Sequence, residues 1–291
     1  MHPAPSVIIF TALSGLGFGL FAWLGFGLPE VTGVAAFAFF FVAYALAVGG
    51  LLSSTFHLGN PQRAMKAFSQ WRTSWLSREG VFAVTSLCVM GVYAIGLIFL
   101  DKNWHVVGWI GAVLSIGTVF TTSMIYTQMK TVPRWNTKIT PVLFLTYALG
   151  GGALLAGQVA TASILLIALT ALQLLNWVHG DRAFATAGHT IETATALGFL
   201  GRVRLLESPH TGSNYLLREM VHVVGRKHAL KLRAIAIATL GLLPAAILLL
   251  LPFNHVLALL AVASHLIGLF AARWLFFAEA EHVVGLYYGQ R

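Results

Sequence analysis

Polar breaks divide this chain into apolar runs of about 20 residues, and that repeat leaves it few folds to choose from. A bilayer core about 30 Å thick takes about 20 apolar residues to cross as a helix, and in lipid each backbone N–H and C=O must be bonded inside the structure. Runs bounded by Pro, Gly and charge give eight candidate spans, at about 6–28, 34–57, 80–100, 105–129, 140–158, 161–178, 233–252 and 255–277. The expected fold class is all-α: a polytopic integral membrane protein of about eight transmembrane helices, with 1–291 forming a single membrane domain. Only Gln158 to Thr161 divides the fifth span from the sixth, so one long tilted or re-entrant segment is the alternative there. Composition agrees, because 58% hydrophobic and 9% charged residues fall well short of the roughly 25% charge of a soluble domain. The first run has no basic segment before it and no small-residue cleavage site after it, and reads as a first helix rather than a signal peptide. Cys88, the single cysteine, lies inside an apolar run, so the chain can form neither an internal disulfide nor its own four-cysteine iron–sulfur cluster.

Eight spans place both termini on one side of the membrane, together with the second, fourth and sixth connections. Of the 18 lysines and arginines, all but Lys102 fall on that side, Arg273 and Arg291 near the C-terminus included. The positive-inside rule makes that face cytoplasmic, and the expected location is the inner (cytoplasmic) membrane of a bacterium, with both termini and any partner-binding face in the cytoplasm. The same charges fix topology and attract anionic membrane lipid, so the basic balance needs no nucleic acid to explain it. Connections on the opposite side, such as Pro29 to Gly33 and Asp101 to Trp104, are too short to bind a domain. The connection over 58–79 reads as interfacial, and the one over 179–232 is long. Within it, Ser213 to His228 has a Ser cap followed by Tyr215, Leu216, Met220, Val223 and Val224 with basic residues between. That pattern fits a helix resting on lipid headgroups and equally a platform for a soluble partner.

The most informative stretch is Ser53-Ser54-Thr55-Phe56-His57-Leu58-Gly59-Asn60-Pro61-Gln62-Arg63-Ala64, followed by Ser74-Trp75-Leu76-Ser77-Arg78-Glu79-Gly80. His57 closes the second span and Glu79 opens the third, which puts an imidazole and a carboxyl at facing helix ends. Such a pair suits proton transfer near neutral pH, and its plain reading is a pair of solvated anchors at a membrane boundary. Quinone reduction requires hydrogen-bond donors to the ring carbonyls, two protons from the aqueous side and an apolar slot for the tail; His57 and Glu79 meet the first two needs.

The His-Leu-Gly-x-Pro-x-Arg-Ala run, the Ser-Arg-Glu at the start of the third span and the eight-helix layout together resemble the membrane anchor subunits of dimethyl sulfoxide reductase type molybdoenzymes. The resemblance covers the whole chain. It implies a three-subunit complex with a molybdopterin catalytic subunit, an iron–sulfur electron-transfer subunit with [4Fe-4S] clusters, and an anchor that exchanges electrons with quinone (ubiquinone or menaquinone) without haem. It implies a quinone pocket in which His57 and Glu79 are the proton-transferring groups, with Arg63 and Arg78 at neighbouring basic positions, and no metal on this chain. The cytoplasmic charge bias and the Met1 to Thr11 run further resemble the branch that anchors a cytoplasm-facing sulfite dehydrogenase, which would make the anchor a quinone reductant during oxidation of sulfite to sulfate.

Three other readings stay open. An S-oxide reductase anchor would run the same chemistry from quinol. A haem b anchor needs histidines inside spans, and of the eleven only His265 lies well within one. A secondary transporter would use Gly150-Gly151-Gly152 as a helix break, although such glycines also let helices pack closely.

Overall fold

The computed structural model describes residues 1–57, 60–221, 226–252 and 254–289, and for His57 and Pro61 the backbone alone. Among these the chain is all-helical, without a strand. The membrane helices are α1 (Pro5–Gly25), α2 (Gly33–Ser53), α3 (Trp75–Phe99), α4 (His105–Thr127), α5 (Ile139–Leu155), α6 (Val159–Thr186), α7 (Ala229–Leu250) and α8 (His255–Ala278). Seven are long and apolar enough to cross a membrane; α5, with 17 residues, is about 26 Å long and meets the lower limit for a crossing. Gly157, at φ +68°, turns the chain sharply between α5 and α6, a conformation glycine adopts without steric cost. The fifth and sixth spans are therefore two helices, and the single re-entrant segment is set aside.

α1 is the hub, packed on α2, α4 and α5, and it separates two apolar cores. The first joins α1–α4 around Phe18, Phe21, Phe40 and Tyr93. The second joins α5–α8 around Leu143, Leu166, Leu169 and Leu240. Lipid gives little hydrophobic drive between helices, so close backbone approach and polar contacts hold them. A Cβ on Gly19 would meet the Ala148 carbonyl oxygen at 1.9 Å, and one on Gly152 would meet Gly19 at 2.3 Å. Gly151 and Gly152 thus seat an unbroken α5 against α1, with Gly150 turned to Leu165 of α6, which is the packing reading and removes the helix break a transporter would have used. Between α3 and α4, polar residues seven apart face one another: Glu79 with Thr122, and Ser86 with Ser115 at 2.8 Å.

α7 contains a π-helical turn at Ala238–Leu242. Pro244 has no N–H for the carbonyl four residues back, so Leu240 O is left without its helical donor. His265 Nδ1 of α8 bonds that oxygen at 2.7 Å, and Ser264 Oγ bonds Thr239 O at 2.9 Å.

Both described chain ends meet the second, fourth and sixth connections at one end of the bundle. The Met1 amine donates to Ala280 O (2.7 Å), Ser53 Oγ to Ser6 O (3.1 Å), and Val283 N to Thr131 O (2.9 Å). Two boundaries differ from those read in the sequence. α3 begins at Trp75 because Ser74 caps it, its oxygen accepting from Ser77 N, and Glu79 lies in the second turn rather than at the opening. α6 continues past 178 to Thr186 because Gly180 seats Arg134 and Asp181 is ion-paired, so the residues that look like a break are contacts. In the long connection, the described residues form helical turns at Ile191–Thr195, at Gly198–Leu200 and, as a π turn, at Leu216–Met220. The expected helix from Ser213 does not extend that far: Asn214 Oδ1, not Ser213, accepts from Leu217 N at 3.0 Å, while Val223 and Val224 lie outside the described residues. Instead the C-terminal 3-10 helix Val283–Tyr288 holds this connection, through Asn214 Nδ2 to Tyr288 (3.1 Å) and the Tyr287 hydroxyl to Ala194 O.

Candidate functional site

The segment between α2 and α3 leaves the bundle as a 3-10 helix, Pro61–Phe68, and returns through an exposed turn. Phe68 lies against Gly80, where a Cβ would meet its ring at 3.0 Å, and the Ser77 hydroxyl bonds Ala67 O. Arg78 ties the turn down: Nε donates to Trp71 O at 3.0 Å, Nη2 to Arg72 O at 2.6 Å, and the guanidinium lies 4.3 Å from the Trp75 ring centre. Arg63 is exposed on the 3-10 helix. The backbone of His57 ends the 3-10 turn that follows α2, and its side chain lies outside the described residues.

Glu79 is 5% exposed and faces α4. Thr122 Oγ1 lies 2.5 Å from Glu79 Oε1 and 2.9 Å from Thr118 O. A hydroxyl has one proton, so it cannot donate to both acceptors at once. Both contacts are made when Glu79 carries a proton and donates to Thr122; the ionised carboxylate instead takes the hydroxyl proton away from Thr118. The pair has two bonding patterns, one for each protonation state, which is what a relay group needs.

Next to it stands an aromatic cluster that includes Tyr126, with Trp135 at 5.2 Å, Phe276 at 5.3 Å and Phe144 at 5.6 Å. Tyr126 lies within electrostatic reach of Glu79 on one side and of Arg273 on the other. Arg273 is 2% exposed, its guanidinium 3.9 Å from the Phe144 ring centre and 4.5 Å from Tyr147, and neither its Nε nor its Nη1 has an acceptor among the described residues. Beside it, Tyr147 donates to Gln173 at 2.7 Å. Toward the end of the bundle, Arg134 and Arg233 both bind Asp181 (2.6 Å each) and Glu279 (3.4 and 2.7 Å). Arg134, Arg273, Tyr147, Gln173 and Glu279 line one small cavity.

This second polar centre was not singled out from the sequence, where Arg273 counts only as one more end charge. A signal was present: Arg273 falls inside the predicted span 255–277, and an arginine within a span is rarely idle. Asp181 and Glu279, acids amid the basic face, were a second. Thr122 and Tyr126 gave none, being ordinary residues of an apolar run. His265, the candidate haem ligand, is committed to Leu240 O through Nδ1, and its Nε2 abuts Gly151, where a Cβ would stand 2.9 Å away. Among the described residues no group of three or more His, Cys, Asp or Glu side chains could hold a metal ion.

A family model described as DMSO reductase anchor subunit (DmsC) matches residues 1–278. A sulfite dehydrogenase subunit of Allochromatium vinosum is 30% identical, over 99% of this chain and 99% of that one. No solved structure matches the chain.

Proposed function

The chain belongs to the DMSO reductase anchor subunit (DmsC) family, and from that membership we propose that it is the quinone-binding anchor of a three-subunit molybdenum and iron–sulfur oxidoreductase that oxidises sulfite to sulfate. The similarity itself makes this chain a multi-pass membrane anchor subunit of a DmsC-type oxidoreductase complex, and an anchor implies partner subunits. In the proposed complex these are an iron–sulfur electron-transfer subunit and a molybdopterin catalytic subunit, docked on the basic end facing the cytoplasm. Charge supports that orientation, since among the described residues every basic side chain except Lys102 belongs to the basic end.

In this reading sulfite and water yield sulfate, two protons and two electrons on the partner, and quinone takes up two electrons and two protons to become quinol. What this chain supplies is the proton side of the second half-reaction. One observation carries it: a nearly buried carboxyl, Glu79, one helical turn past the start of α3 and paired with a hydroxyl that can bond it in either protonation state. His57, at the end of the facing helix, would deliver protons from the aqueous side, with Arg63 and Arg78 as neighbouring basic groups of the quinone pocket, Arg78 also tying down the turn before α3. Haem has no role here, and the quinone is ubiquinone or menaquinone.

The reverse direction, quinol oxidation feeding an S-oxide reductase, uses the same groups and is favoured by the description of the matching family. Cytoplasmic membranes from cells with and without this protein separate the two. Sulfite-dependent quinone reduction that requires the chain, with sulfite offered to the cytoplasmic face, supports the proposal. Quinol-dependent S-oxide reduction that requires it, with no sulfite activity, overturns the substrate and the direction while leaving the family in place.

A further inference from the structure

An open groove at the basic end belongs to neither polar centre. It runs between the α4–α5 connection and the last turns of α6, and its polar lining is Lys130, Asn136, Thr137, His179, Thr186 and His189. No carboxylate lines it among the described residues. The nearest candidate by sequence, Asp181, is held by Arg134 and Arg233. The connection is braced from within: Asn136 Nδ2 donates to Thr127 O at 2.5 Å, and Thr137 and Thr140 share a hydrogen bond at 3.3 Å. Lys130, which is exposed, and the two imidazoles are left facing the groove as donors.

Helix length sets the depth of this site. The 28 residues of α6 span about 42 Å, against about 30 Å of hydrocarbon, so its last third stands in the headgroup layer and His179 falls near the boundary. Leu175, four residues before His179 on the same helical face, is 60% exposed, and Val178 beside it is 58% exposed. An ammonium and two imidazole N–H donors above and a bare apolar wall below match a molecule with an anionic head and hydrocarbon tails.

We propose that this groove binds an anionic phospholipid, its phosphodiester held by Lys130, His179 and His189 and its acyl chains lying along Leu175 and Val178. Phosphate oxygens accept a charge-assisted hydrogen bond from an ammonium and further bonds from imidazole N–H groups, and basic pockets at the headgroup level are the form such sites take. A soluble protein surface would meet the donors but leave the apolar wall uncovered, which is why a lipid is the better occupant.

The test uses the full-length chain in neutral detergent, stripped of lipid and titrated with phosphatidylglycerol or phosphatidylcholine, with bound lipid counted by native mass spectrometry. Phosphatidylglycerol is expected to bind at least about tenfold more tightly than phosphatidylcholine, and Lys130→Gln with His179→Gln to erase that preference. Lys102→Gln, at the opposite end, should leave it unchanged. Equal binding of the two lipids, or a double variant that keeps the preference, overturns the proposal. So does displacement of the lipid by millimolar inorganic phosphate, which would make the groove a site for a soluble phosphate. Melting without added lipid checks the fold of each variant; should the double variant not purify, Lys130→Gln alone must reduce the preference at least about threefold, and no reduction overturns the proposal equally.

Discussion

At the scale of single residues, the Glu79–Thr122 pair has the most to test. Glu79→Gln keeps the shape and a hydrogen bond to Thr122 but cannot exchange a proton. Quinone reduction is expected to fall about a hundredfold or more, while oxidation of substrate with an artificial dye and retention of the partner subunits stay as in the parent. His57→Ala should give the same profile. Both assays run on one membrane preparation, and loss of the complex in either variant would make that residue structural. Thr122→Val removes the hydroxyl that pairs with Glu79 and is expected to cost about fivefold, because a net bond is worth about 1 kcal/mol. His265→Leu is the contrast. It removes the buried hydrogen bond to Leu240 O, so stability should drop by about 1–3 kcal/mol in thermal or chemical denaturation with quinone reduction unaffected. A loss of quinone activity at unchanged stability would assign His265 to the chemistry instead.

At the scale of elements, the closest approaches of α1 to its neighbours are made at glycine, beside the two apolar cores. Gly19 meets Ala148 backbone to backbone, so Gly19→Ala forces α1 from α5 and should cost at least about 2 kcal/mol, read as a lowered melting temperature. Gly15, on the same helix with nothing within 4 Å, provides the control: Gly15→Ala should be neutral or gain up to about 1 kcal/mol from helix propensity. Equal effects of the two would show that the α1–α5 crossing is looser than described. Element type was legible in the sequence, because period and length of apolar runs report directly on helices in lipid. The ends of α3 and α6 were not, since Ser74 as a cap and Gly180–Asp181 as a contact acquire meaning only beside Ser77, Arg134 and Arg233.

At the scale of the whole molecule, the two helix clusters are tied at the basic end by Arg134, Arg233, Asp181 and Glu279, which join the α4–α5 connection to α6, α7 and the end of α8. Glu279, with its side chain 5% exposed, takes both guanidinium groups. Glu279→Gln strands buried charge and is expected to destabilise the fold by about 3 kcal/mol, whereas Arg273→Met, which removes a buried cation lacking a carboxylate, should leave stability unchanged or raise it. Melting both variants side by side decides whether the burial of Arg273 has to be explained by function: a stability loss in Arg273→Met would make it a structural cation held by Phe144 and Tyr147.

The sequence by itself determined the solvent, the helical class, the near-complete confinement of basic charge to one end and the motif around Glu79, because each of these depends on composition and local order along the chain. Tertiary structure alone decided that Glu79 has Thr122 for a partner, that Arg273 is buried, that the α5 glycines are a packing surface and that Pro244 leaves His265 its acceptor. The physical reason is that a hydrogen bond or a buried charge is a relation between segments far apart in sequence, such as Glu79 and Thr122 or Arg134 and Glu279, and no local pattern encodes which of them will meet.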